Sequence, residues 1–136
     1  MTNRFEQVRR TPFVLLTLLL FILPVPTTAK DLVTEIKQVR NHNRSAQVDV
    51  TSLVQQYLKT GTAIGEAISF LEKNGFQVTL KRRSELRQKQ FDAIYIARYD
   101  TRKWYSFGFG DVIRIILYSS DERVFSISGY ISYMAL

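Results

Sequence analysis

The sequence predicts an α+β domain, a two-layer sandwich with a helical hairpin packed on one face of a four-stranded antiparallel β-meander. Three observations carry this. The apolar spacing is helical up to Gly75 and two-residue after it. The strand-like segments that follow are joined by short connections, which require antiparallel pairing. Helices precede strands in a block instead of alternating with them, which argues against a doubly wound sheet.

One domain suits a chain of 136 residues. With 46% hydrophobic and 23% charged residues it is too apolar for a disordered chain. There is no Cys, which removes disulfides, thiolate catalysis, Cys-based zinc sites and iron–sulfur clusters. A single His, His42, removes multi-histidine metal sites. No cofactor and no metal are therefore expected.

The first 29 residues read as an address. Arg4, Arg9 and Arg10 outweigh Glu6, and Phe13 to Leu23 is apolar except for Thr17. Pro24 and Pro26 stop a helix there, and Thr27 and Ala29 place small residues at the −3 and −1 positions of a cut after Ala29. Positive, apolar, then small is the secretory signal pattern. The rival is an N-terminal membrane anchor, but a span needs about 20 apolar residues, and this stretch is eleven residues long. The expectation is a periplasmic or secreted domain. The formal charge is +7. Three Arg and one Glu lie in the first 29 residues, so most of the excess belongs to the remainder. Outside the cytoplasm its anionic partners would be lipid head groups, envelope polymers or an acidic protein, and nucleic acid is not expected.

Residues 30–48 read as a flexible or partly helical lead-in to a domain over 49–136. Leu32, Ile36 and Val39 have helical spacing, and Asn41 to Ser45 breaks it. Asp49 or Thr51 can cap a helix running to Leu58, with Leu53, Val54, Tyr57 and Leu58 as its stripe. Thr62 can cap a second helix lined by Ile64, Ala67, Ile68 and Leu71, and Asn74-Gly75 supplies a left-handed stop. Strands follow over Phe76–Leu80, Phe91–Tyr99, Val112–Tyr118 and Val124–Tyr133, with an optional short strand near Trp104 and Gly129 as a bulge or a close approach. The expected core is Phe76, Val78, Leu80, Ile94, Ile96, Ile113, Ile115, Leu117, Phe125, Ile127 and Ile131.

Alternation then puts Tyr95, Ala97 and Tyr99, Val112, Arg114, Ile116 and Tyr118, and Ser126, Ser128, Tyr130 and Ser132 on the free face, with Trp104 and Tyr105 near one rim. A free face is ordinarily polar. Cross-strand Tyr and Ser pairs stabilise an exposed sheet by themselves; rigid amphipathic rings beside Arg also make a recognition surface. On the second reading the partner-binding residues are Tyr95, Tyr99, Trp104, Tyr105, Arg114, Tyr118 and Tyr130. A one-residue slip would exchange the faces. The cations Lys81, Arg82, Arg83, Arg87 and Lys89 form a solvated loop or an anion-binding patch.

The catalytic signals are weak. His42 lies in the polar lead-in without a nucleophile-elbow pattern. Gly108-Phe109-Gly110 lacks the third Gly and the strand-to-helix setting of a phosphate loop. The Asp residues lie mostly at strand ends, where turn chemistry explains them. No enzymatic activity is expected.

The run Leu58 to Ala67, with Gly61 at the turn and Ala67 at the buried helix position, then Leu71 and Gly75-Phe76, resembles the entry of the BamE/SmpA-like small outer-membrane assembly proteins. It is similar also to the repeats of the β-lactamase inhibitor protein. Val112 to Tyr118, a polar turn and Val124 to Ile127 resemble their closing hairpin. The likeness covers about residues 50–133 and implies a helical hairpin, an antiparallel meander and a binding role. The lipid-bearing Cys of the assembly proteins is missing, so lipid tethering is not implied. The expected function is a non-catalytic protein-binding domain, inhibitor- or immunity-like or an envelope-assembly accessory. The alternative is an envelope-surface protein that binds anionic lipid or polymer through Lys81 to Lys89.

Overall fold

A computed structural model describes residues 31–81, 90–102 and 110–134. The elements run α1 (Leu32–His42), β1 (Gln47–Asp49), α2 (Thr51–Tyr57), α3 (Ile64–Lys73), β2 (Gln77–Lys81), β3 (Ala93–Asp100), β4 (Gly110–Ser120) and β5 (Arg123–Met134). The fold is α+β, with one antiparallel sheet in the order β1-β5-β4-β3-β2. The meander from β2 to β5 is present, but the sheet has five strands where four are expected.

The fifth strand and a third helix come from residues 30–48, read above as a lead-in. Leu32, Val33 and Ile36 of α1 and Val48 of β1 all enter the core. The helical stripe of α1 is legible in the sequence. A three-residue strand is too short to show a period, and it forms because Val48 meets Ile131 across the ladder. The helix layer is thus not a hairpin alone. The α1 and α2 helices touch, and the Tyr57 hydroxyl bonds the Glu35 carboxylate between them. Helix α3 meets α2 through the Tyr57 and Phe70 rings, with centroids 6.1 Å apart.

The caps differ from expectation. The carboxylate of Asp49 accepts the Thr51 N–H at 2.7 Å, although Val50 occupies the N-cap position of α2. For α3 the cap position is Ala63, not Thr62. Ala63 cannot cap with its side chain, so the tertiary structure does so: the Ile64 N–H donates to the Glu122 carbonyl at 2.9 Å. The Thr62 and Gly61 backbones bond Val124, and Arg123 reaches the Gly61 carbonyl at 2.9 Å. At the other end Gly75, at φ +85°, closes a Schellman motif. The Gly75 N–H donates to Glu72 and the Phe76 N–H to Leu71, and Leu71 and Phe76 are both buried.

The core lies between the helices and one sheet face. It joins Val54, Leu58, Ala67 and Leu71 to Phe76, Ala97, Ile113, Ile115, Leu117, Val124, Ile127 and Ile131. At Gly129 the α2 helix comes closest. The Gly129 carbonyl accepts the Val50 N–H at 2.9 Å, and its own N–H donates to the Thr51 hydroxyl at 2.9 Å. A Cβ at Gly129 would lie 3.0 Å from a Val54 methyl, so this glycine marks a close approach.

Strand β3 lies in the opposite phase to the one expected. Tyr95, Ala97 and Tyr99 stand opposite Leu117, Ile115 and Ile113, on the helix side, and Ile94, Ile96 and Arg98 face away. Both phases of β3 are apolar enough to be buried, and Arg98 decides between them. Under the helices its charge would lose water without a partner, at a cost of several kcal/mol. Tyr95 and Tyr99 instead pack against the core while remaining only partly buried. Two further core expectations fail. Leu80, on edge strand β2, is 55% exposed, and Phe125 is 56% exposed. A register shift at Tyr118/Ser119 inserts an extra residue in β5, so Val124 turns into the core and Phe125 leaves the alternation.

Candidate functional site

The face opposite the helices is built from four rows that the register defines. At one end lie Lys81, Ile94, Tyr118 and Ser126; next Thr79, Ile96, Ile116 and Ser128; then Gln77, Arg98, Arg114, Tyr130 and Asp49; last Asp100, Val112, Ser132 and Gln47. The first two rows carry an apolar strip. Phe91 lies 4.8 Å from the Tyr118 ring and 5.3 Å from the Phe125 ring, which extends the strip to the sheet end. Ile94, Ile96, Ile116 and Tyr118 are neighbours across the strands and half-buried.

The arginine row is electrostatically uneven. Arg98 and Arg114 stand directly opposite each other on neighbouring strands. Arg102 grips Asp100 through Nε at 2.8 and 3.0 Å, and Arg98 reaches the same carboxylate at 3.2 Å. The Arg102 guanidinium holds the Asp100 carboxyl far below the usual carboxylate range. Among the described residues Arg114 meets neutral acceptors, the Tyr130 hydroxyl at 3.4 Å and the Met134 sulfur at 4.0 Å. Asp49, at the far end of the row, turns its carboxylate to the Thr51 N–H, which lowers its pKa. Val112, in the next row, is fully buried and stands apart from the helix-side core. Asp100 and Gln47, at the two ends of that row, are exposed.

Of the expected partner-binding residues, the structure gathers Arg114, Tyr118 and Tyr130 on this face. Tyr95 and Tyr99 are not part of it. Tyr99 packs on Phe76 at 5.6 Å with the Lys37 ammonium 5.3 Å from its ring centre, on the helix side. Trp104 and Tyr105 lie outside the described residues, as do residues 1–30 with the expected signal and Arg82, Arg83, Arg87 and Lys89 of the basic run. Lys81 is exposed at the end of β2. Ile94, Ile96, Arg98, Phe91 and Phe125 were missed. A lone Arg in one phase of an otherwise apolar strand was the signal that could have found the first three.

Elsewhere, Arg40 at the end of α1 pairs with Asp111 at 2.9 Å, and this fastens the helix to the start of β4. His42 is exposed, with Nδ1 2.7 Å from the Gln38 carbonyl oxygen. Among the described residues no group of three or more His, Asp or Glu could hold a metal ion, and no helix is long and apolar enough to cross a membrane. Comparison with family models, with curated proteins and with solved structures returns no match to this chain.

Proposed function

We propose that the chain is an exported, non-catalytic protein-binding domain, inhibitor- or immunity-like or an envelope-assembly accessory, that engages its partner through the sheet face opposite the helices. One observation carries the reading. Ile94, Ile96, Ile116 and Tyr118 adjoin one another on that face, and Phe125 is 56% exposed beside them. A sheet covered on one side ordinarily presents polar residues on the other, and a contiguous apolar strip there marks an interaction surface. The BamE/SmpA-like and inhibitor-protein resemblance of residues 50–133 points to the same kind of role. The export signal over residues 1–29 belongs to this proposal and places the partner in the envelope or outside the cell.

Photo-crosslinking in the producing cell tests it. A photoreactive residue at Ile116 should trap one discrete protein, and the same residue at Ser69, on the exposed side of α3, should not. Ile116→Asp should then weaken binding of that purified protein at least ten-fold. Equal trapping from both positions would reject the face. The second reading rests on Lys81, exposed beside the apolar strip at the head of the basic run. It predicts salt-sensitive co-sedimentation with anionic vesicles, which Lys81→Glu should weaken.

A further inference from the structure

Arg98 and Arg114 form a like-charged cross-strand pair, an arrangement that destabilises a sheet by itself. Across that register their Cβ atoms lie within about 5.5 Å. Asp100, the carboxylate nearest to them in register, already has both oxygens engaged by Arg102. Arg98 shares one of those oxygens, and Arg114 has no carboxylate partner among the described residues. Among the described residues the three guanidiniums and one carboxylate leave a local excess of two positive charges. Asp49 does not cancel it, being two strands from Arg114 with its carboxylate on Thr51.

We infer that the Arg98–Arg114 pair is a receptor for a carboxylate side chain of the protein partner. This rests on the binding face proposed above and names the chemistry that face recognises. The guanidinium presents a planar fork of donors that matches a carboxylate. Arg114 is half-buried, so its bond to an incoming anion is less screened than one at an exposed site. The Tyr130 hydroxyl, 3.4 Å from Arg114, can donate to the same anion. The adjoining Ile96–Ile116 pair covers apolar surface beside it. The site therefore fits a Glu or Asp flanked by an apolar residue. The carboxylate removes the repulsion between the two arginines as it binds, so the free protein is held in a state that the partner relieves.

The test is an NMR titration of the full chain, following the Arg Nε–H resonances. The probe is the blocked tripeptide Ile-Glu-Ile, with Ile-Gln-Ile and inorganic phosphate as comparison arms. The glutamate peptide should shift Arg98 and Arg114 with saturation by roughly 20 mM, and the glutamine peptide should bind at least ten-fold more weakly. Arg114→Gln should lose at least ten-fold in affinity while its melting temperature stays level or rises; Arg98→Gln, a second variant, should lose binding likewise. Equal shifts with both peptides, no saturation, or tighter binding of phosphate would overturn the carboxylate receptor. The crosslink from Ile116 is read independently of these arms, so its presence with a failed titration leaves the face standing and removes only the receptor.

Discussion

Replacing Gly129 by Ala should destabilise the domain even though Ala suits a strand better than Gly does. The added Cβ would lie 3.0 Å from Val54 Cγ2, 3.5 Å from Val50 Cγ2 and 3.8 Å from Ile115 Cγ1. Carbon atoms prefer roughly 3.5–4.0 Å, so α2 must withdraw by about half an ångström. That withdrawal stretches the Val50 N–H to Gly129 carbonyl bond and the Gly129 N–H to Thr51 bond, both 2.9 Å. Overpacking of this kind costs about 1–3 kcal/mol. The smaller entropy of the unfolded Ala chain returns about 0.4–1 kcal/mol. The net loss is about 1–2 kcal/mol. Val54 is fully buried, and Val54→Ala alone should cost about 2 kcal/mol. Because Val54→Ala removes the methyl that the added Cβ would strike, the double variant should be about 1 kcal/mol more stable than the sum of the single losses predicts. Urea unfolding followed by far-UV circular dichroism measures all four proteins, and an unchanged m-value makes the midpoints comparable. A neutral or stabilising Gly129→Ala, or strict additivity of the pair, would refute the close approach of α2 to β5.

Three further outcomes follow from the same structure. The β4–β5 hairpin turns on Asp121 and Glu122, both left-handed at φ 51° and 59°, and Glu122→Gly should raise stability by about 1 kcal/mol in a thermal melt; a lowered melting temperature would contradict the turn geometry. The Asp100 carboxyl is held below its ordinary 3.8 chiefly by the hydrogen bond from Arg102, so its stabilisation is complete above that pH and is lost as pH falls through the lowered value. Asp100→Asn should be less stable than the parent at pH 7, with the gap closing below pH 4; a gap constant down to pH 2 would mean no such pairing. The Tyr57 hydroxyl is raised above 10.0 chiefly by its bond to Glu35, so its contribution is complete below pH 10 and lost as pH rises through the raised value. Tyr57→Phe should therefore weaken the α1–α2 contact at pH 7, and chemical denaturation above pH 10 should show the two proteins converging; a deficit that persists there would assign it to packing.

The period change at Gly75, the Asn74-Gly75 stop, the stripe of α3 and the order of the strands are all local properties, and they are enough to predict α+β with an antiparallel sheet. That Gly129 is special is legible too, but the sequence allows a bulge or a close approach, and the Val54 methyl 3.0 Å from its would-be Cβ decides for the close approach. Tertiary structure decided the rest. Strand β1 exists only because β5 offers it an edge, and α3 begins with no capping side chain because the β4–β5 turn supplies the carbonyl. The phase of β3 is the consequential case. Ile94 and Ile96 compete with Tyr95, Ala97 and Tyr99 for the core, and alternation cannot rank two apolar phases. The contest is settled across strands, where Ala97 meets Ile115 under the helices and Arg98 meets Arg114 on the far side. A charged side chain keeps its hydration only on the face without helices, and that one requirement carries two isoleucines out with it.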